Sequence, residues 1–283
     1  GIGLGALIPL PFAMLGMTDK REFNFGFANV MVLLYGAIGL FLIPSALISI
    51  GLDGIFVFLA IFGAIGLLVI PYLPNGADDA NTEEQEDNSD PYSTSTKMMA
   101  LGGVLLFDIA IGAVWAYIFL VGVQGGIGEQ TVANILTFSQ FLGVLGSLLV
   151  VYLAGRIGRG GPFAAAIFFC AVGIGILLFD VNFLYYSAAI YIFNFWWNLV
   201  QPYIMATLSA FNDRSETVIR GSCMQMLGFA IGPYIAASMI GDSLTPDYQV
   251  VNLMGTVLFL ASLLLFLPAI VQQRKREGQP SDS

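Results

Sequence analysis

The stretch MMALGGVLLFDIAIGAVWAYIFLVGV, residues 98–123, runs for 26 residues with a single charged side chain, Asp108. At 1.5 Å per residue, a helix of that length is about 39 Å long, enough to cross a hydrocarbon layer of about 30 Å. Its apolar residues do not alternate with polar ones, so the run reads as a helix rather than a barrel strand, and in lipid only those two structures satisfy their own backbone. Comparable runs recur at 1–17, 25–50, 53–73, 130–154, 162–180, 184–210, 218–241 and 249–271, giving about nine spans. Composition agrees: 57% of residues are hydrophobic, 10% are charged and mean hydropathy is +0.83, against about 45–50% apolar and 25% charged in soluble domains. The expected class is an all-α, multi-pass integral membrane protein whose first partner is the lipid bilayer.

The ten basic residues test that reading. Lys20, Arg21, Lys97, Arg156, Arg159, Arg214, Arg220, Arg274, Lys275 and Arg276 occupy alternate connections and the C-terminal tail, while the connections around Asp53, Glu129, Asp180 and 242–247 contain none. Lys and Arg collect on the cytoplasmic side, so the C-terminus is expected in the cytoplasm. An odd number of spans then puts the N-terminus outside. Because the chain starts at Gly1 within a short apolar run that lacks the basic region of a signal peptide, an upstream portion is expected to be missing. The short loops carry no glycosylation sequon, which favours a bacterial inner membrane.

Residues 75–96, NGADDANTEEQEDNSDPYSTST, carry seven acids and no base and are nearly devoid of apolar side chains, the composition of a solvated linker. The expected organisation is the end of a first transmembrane bundle (1–74), an acidic cytoplasmic linker (75–97), a second bundle (98–272) and a cytoplasmic tail (273–283). The linker supplies most of the net charge of −9, so the overall acidity carries no information about partners. Without a large basic surface, a nucleic-acid role is disfavoured.

An internal repeat flanks the linker. TDKREFNFGFANVMVLLYGAIG (18–39) aligns with NDRSETVIRGSCMQMLGFAIG (212–232): Asp19 matches Asp213, Glu22 matches Glu216, and both copies reach Ala-Ile-Gly after a one-residue gap. Each copy is a charged turn between two spans followed by a further span. Six spans follow the linker and three precede it, so the symmetry implies about three more upstream. With LAGRIGRGG (153–161), in which Arg156, Gly158 and Arg159 match a G-x-x-x-D-R-x-G-R-K/R loop motif, and LGFAIGP (227–233), which matches G-x-x-x-G-P, the chain resembles the major facilitator superfamily over its whole length. Gly155 stands where that loop motif has an acid, and Gly160 where it has its last base. In the equivalent first-half helix Pro44 does not follow a glycine, which weakens an exporter reading. The resemblance implies two six-helix bundles with pseudo-twofold symmetry, the first incomplete here and the chain supplying helices 4 to 12, in a monomer that works by alternating access.

Inside the spans, Asp108 is the ionisable residue that stands out. A carboxylate at mid-membrane costs at least about 2.5–3.5 kcal/mol, so it should face protein or a wet cavity. It reads either as a proton-coupling or cation site, with Gly112 and Trp115 on its face, or as a carboxyl that locks helices together. YIFNFWWNLVQPY (191–203) places Tyr191, Asn194, Asn198 and Gln201 on one stripe with Trp197 beside it. Such a stripe either lines a solute cavity, which the resemblance favours for this tenth helix, or ties helices through amide bonds. Asn134, Thr137 and Gln140 form a weaker stripe that either joins the cavity or packs helices, and Gln225 lies one turn before Gly228. Gly228 and Gly232 read as close-packing points and Pro233 as a bend, while Arg156, Arg159, Asp213 and Arg214 read as gate charges or topology anchors, with Gly158 a glycine of the same cytoplasmic loop motif.

The function these features favour is secondary active transport of a small neutral polar, sugar-like solute, a symporter with protons as coupling ion and Asp108 as the proton site. Proton-driven efflux of amphipathic compounds and a non-transporting sensor with a transporter fold are the alternatives. A membrane enzyme is disfavoured, because the chain has no His and only two separated cysteines, Cys170 and Cys223, without metal-ligand spacing. No cofactor or metal is expected.

Overall fold

The computed structural model describes residues 9–16, 18, 20–66, 92–211, 215–241 and 246–277, and among these every regular element is a helix. The eight helices are α1 (Pro9–Gly16), α2 (Arg21–Gly66), α3 (Thr94–Gln124), α4 (Glu129–Leu153), α5 (Gly160–Ile176), α6 (Phe183–Ser209), α7 (Ser215–Ile240) and α8 (Gln249–Glu277). Two compact units result: Gly1–Leu33 with Pro91–Ser283, and Leu34–Asp90. The second unit is described only along the remainder of α2. There Gly51 interrupts the helix at φ 69°, a conformation that glycine adopts without a Cβ penalty, at the turn expected between runs 25–50 and 53–73.

Four helices among the described residues are long and apolar enough to cross a membrane: Thr94–Gln124, Glu129–Leu153, Glu216–Ile240 and Gln249–Lys275. That is fewer than the nine expected spans, for identifiable reasons. Helix α5 closes after 17 residues, α6 is diluted by its amides and tyrosines, and the runs expected at 1–17 and 53–73 lie partly outside the described residues. Large apolar side chains such as Leu184, Leu264 and Phe141 are more than half exposed, as expected of a surface solvated by lipid rather than water.

Capping sets several ends. Ser93 Oγ accepts from the Thr96 amide at 3.1 Å to start α3, and the chain leaves α3 through Gly125 and Gly126, the latter at φ 80°. Asn182 accepts from the amides of Leu184 and Tyr185 to start α6. Two boundaries shift from expectation: the linker's end is ordered, with Tyr92 buried against Phe211 and α3 already begun at Thr94, and α8 carries the first residues of the expected tail to Glu277. The remainder of the linker, 75–91, lies outside the described residues.

In the larger unit α3 is the central helix: 61% of its most apolar window is buried, against 22–33% for the other three. It packs on α7 along one side and α8 along another, α5 joins α6 and α8, α4 lies on α6, and α1 rests against α7 and α6. Edge-to-face ring pairs, Phe107 with Phe259 and Phe163 with Phe266, fill the α3, α5 and α8 core. The α3–α7 crossing is built on glycine. A methyl group at Gly112 would lie 2.6 Å from the Phe229 carbonyl oxygen, and one at Gly228 would lie 2.8 Å from that of Leu105. Gly232 meets the α3 backbone at Ile109 and Ala113, and Pro233 follows within α7.

Candidate functional site

Asp108 sits in the middle of α3, 4% exposed. Its polar neighbours come from two other helices, Gln201 of α6 and Gln225 of α7. The two amides also bond each other, Gln225 Nε2 donating to Gln201 Oε1 at 2.6 Å. Asp108 Oδ2 nevertheless has no hydrogen-bond partner, and no ion pair involves Asp108 among the described residues. Gly228 approaches Asp108 Cβ, so the glycine seam of α7 admits the carboxyl to the interface. Beside the amide pair lies a cavity of about 40 Å³ lined by Phe12, Phe25, Asn29, Gln201, Pro202, Met205 and Gln225, room for one or two waters.

The amide stripe of α6 divides. Asn194 and Asn198 are buried: Asn194 Nδ2 donates across to Ser139 Oγ of α4 at 2.8 Å, while Asn198 Nδ2 donates within α6 to Asn194 Oδ1 at 2.7 Å. Asn29 of α2 completes the assembly, donating from Nδ2 to Ser147 Oγ at 2.7 Å and, at longer range, to Asn198 O and Oδ1 at 3.3 and 3.4 Å. The approach is possible because α4 presents Gly143 and Gly146 to α6 and α2 presents Gly26 to α4, without Cβ atoms to hold the helices apart. In this arrangement Asn194 joins α6 to α4 and Asn198 supports it from within α6, while Gln201 faces the small cavity. Asn198→Ala should therefore cost about 1 kcal/mol of stability, read as a lowered midpoint of thermal unfolding in detergent. An unchanged midpoint would remove the tie from the account.

Trp115 and Trp197 pack ring to ring at 5.4 Å, both partly exposed, with Trp197 Nε1 lacking a partner. Tyr191 packs edge-on against Phe138 at 5.5 Å. Asn134 and Thr137 lie on the exposed face of α4 and bond within their own helix, to Gln130 and to the Ala133 carbonyl, and among the described residues no hydrogen bond joins these or Gln140 to the Asp108 group.

At one end of the unit the α4–α5 turn carries the loop motif. Gly155 there has φ 73°, a backbone that favours glycine, and this accounts for a glycine where the resembled motif has an acid. Arg159 pairs with Glu22 of α2, whose side chain is 8% exposed. Arg156 instead turns outward, its guanidinium 4.0 Å over the Tyr152 ring. Glu22, Gly158, Arg159 and Tyr203 share the wall of a cavity of about 320 Å³. Asp213 and Arg214 lie outside the described residues. The repeat-matched glutamates differ in use, since Glu216 pairs with Arg220 on its own exposed helix face.

Sequence reasoning missed Glu22 as a site residue, and also Asn29, Ser139 and Ser147. Glu22 was visible as a repeat marker; the three others are single polar residues whose partners lie up to 169 positions away in the chain. No protein-family model matches the chain, and no curated protein matches it.

Proposed function

We propose that the chain is a secondary transporter of the major facilitator type, with nine spans in two pseudo-symmetric bundles, that moves a small neutral polar solute by alternating access in symport with protons. The observation that carries the proposal is Asp108, a carboxyl enclosed in the bundle without an ion-pair partner among the described residues and held by Gln201 and Gln225, two amides that also line a small cavity. A buried carboxyl of that kind is expensive unless it is used, and its amide neighbours can donate to the charged form or accept from the neutral one, so protonation need not dismantle the site. Trp115 and Trp197 offer partly exposed ring faces two turns along α3 and one turn before Gln201, a surface suited to a hydroxylated solute with one apolar face. The Glu22–Arg159 pair would close the face that the basic residues assign to the cytoplasm. Under this reading the protein is a monomer in a bacterial inner membrane, with a cytoplasmic C-terminus and no cofactor.

The test is solute-driven proton movement in proteoliposomes, screening neutral sugars and small aromatic solutes. Proton flux accompanying one solute class is expected for the wild type. Asp108→Asn should abolish the proton signal by a factor of about 100 or more, the order of a general proton-transfer group, while retaining solute binding. Solute flux without protons, indifferent to Asp108→Asn, would reduce Asp108 to a structural carboxyl. Gln225→Ala should weaken solute affinity about tenfold by leaving Gln201 unpaired.

A further inference from the structure

At the end of the larger unit opposite Arg159, three segments line an open hollow of about 360 Å³: the close of α3 (Val121, Gln124, Gly125), the α5–α6 connection (Phe179, Asp180, Val181) and the start of α8 (Tyr248, Gln249, Asn252). That volume falls in the range of small-molecule sites. Asn252 in its wall is 1% exposed, yet neither Oδ1 nor Nδ2 has a hydrogen-bond partner. A buried amide with both functions unmet is rare and needs a partner, which a polar guest in this hollow would supply. Asp180 adds a carboxylate, anchored through Oδ2 by the Asn182 amide at 2.7 Å. Gln124 is fixed by donation to the Pro246 carbonyl at 2.7 Å, and Tyr248 contributes a ring that also packs on Tyr117. The connections at this end, around Glu129, Asp180 and 242–247, contain no Lys or Arg, so the local potential is negative.

The geometry points to a second binding site here, distinct from the Asp108 site, for a small organic ammonium that also carries hydroxyl groups, an amino sugar or amino alcohol. The carboxylate and ring select the cation, the ammonium on Asp180 and its edge against Tyr248. A bare metal ion fits less well: it would take Asn252 Oδ1 but leave Nδ2 without an acceptor, whereas a hydroxyl oxygen on the guest accepts from Nδ2 while Oδ1 receives an N–H or O–H. An anion is rejected by Asp180, and a neutral sugar forgoes the charge-assisted contact.

The experiment is calorimetric titration of the purified full chain in nanodiscs with glucosamine, with glucose as the uncharged control. Saturable glucosamine binding is expected, at least about tenfold tighter than glucose, the worth of one charge-assisted contact. Asp180→Asn should remove that preference. Asn252→Leu should weaken glucosamine binding roughly tenfold while leaving the unfolding midpoint unchanged or raised, because an apolar side chain of similar shape relieves an unmet buried amide. The midpoint separates a binding role from a structural one. No saturable binding, equal binding of glucose, or binding that survives both substitutions would overturn the assignment.

Discussion

Gly232→Leu is expected to prevent assembly of a stable bundle, with loss of the monodisperse species in detergent and of a cooperative thermal transition. The cause is backbone against backbone: Gly232 lies on the α3 main chain at Ile109 and Ala113, one turn from Gly228 at Leu105 and opposite Gly112 at Phe229. An overpacked side chain usually costs about 1–3 kcal/mol because neighbours rotate aside, but a carbonyl or amide of a central helix cannot do so, and the whole α3–α7 crossing must separate. Gly228→Ala should follow with a smaller loss. Gly161, beside which a methyl group would meet nothing within 4 Å, is the control, and Gly161→Ala should unfold like the wild type. A wild-type transition for Gly232→Leu would show that the helices pack through another face.

The second large effect belongs to Arg159→Gln. Removing the guanidinium leaves the Glu22 carboxylate 8% exposed without its counter-ion, and breaking an enclosed pair costs about 3–5 kcal/mol when both partners are sealed from water. Arg159 is 28% exposed, so solvent screening should hold the loss nearer about 2 kcal/mol. Glu22→Gln should cost less, since it removes the charge that needs a partner. The double variant should be more stable than the sum of the two single losses by about 1 kcal/mol or more, measured as a double-mutant cycle on the unfolding midpoint. Additive losses would mean that the two side chains meet without supporting the fold. In transport assays under the proposed function, the same Arg159 variant should raise solute leak, because the closed face is held by fewer contacts.

The apolar runs at 98–123, 130–154, 162–180, 184–210, 218–241 and 249–271 overlie α3 to α8 with ends displaced by a few residues, because hydrophobic length is a property of each segment alone. The displaced ends have local reasons. Ser93 caps α3 ahead of its apolar run, and α5 stops at Ile176, before its run ends. Asp108 was legible by contrast, one charge in 26 residues. Its pairing with Gln201 and Gln225 was not, since those amides meet across two further helices and wheel spacing ranks residues on one helix only. The same limit left the stripe of Asn194 and Asn198 open between water and protein. The close approach comes from Gly143 and Gly146 on a different helix, α4, where Ser139 accepts from Asn194 and Ser147 donates to the Asn198 carbonyl. Asn252 gave no signal, being one amide near the start of a long apolar helix whose hollow is lined by segments from two other places in the chain.

The amide of Asn29 has a mechanical meaning of its own. One NH₂ group is spread over three acceptors, the hydroxyl of Ser147 on α4 and two oxygens of Asn198 on α6, so α2 is latched to a pair of neighbours at a single point. The two hydrogens of that group have three oxygens to choose from, so when α4 and α6 shift slightly against each other the amide hands a hydrogen from one acceptor to the next rather than losing its hold. The joint therefore works as a swivel, keeping α2 attached while its neighbours move.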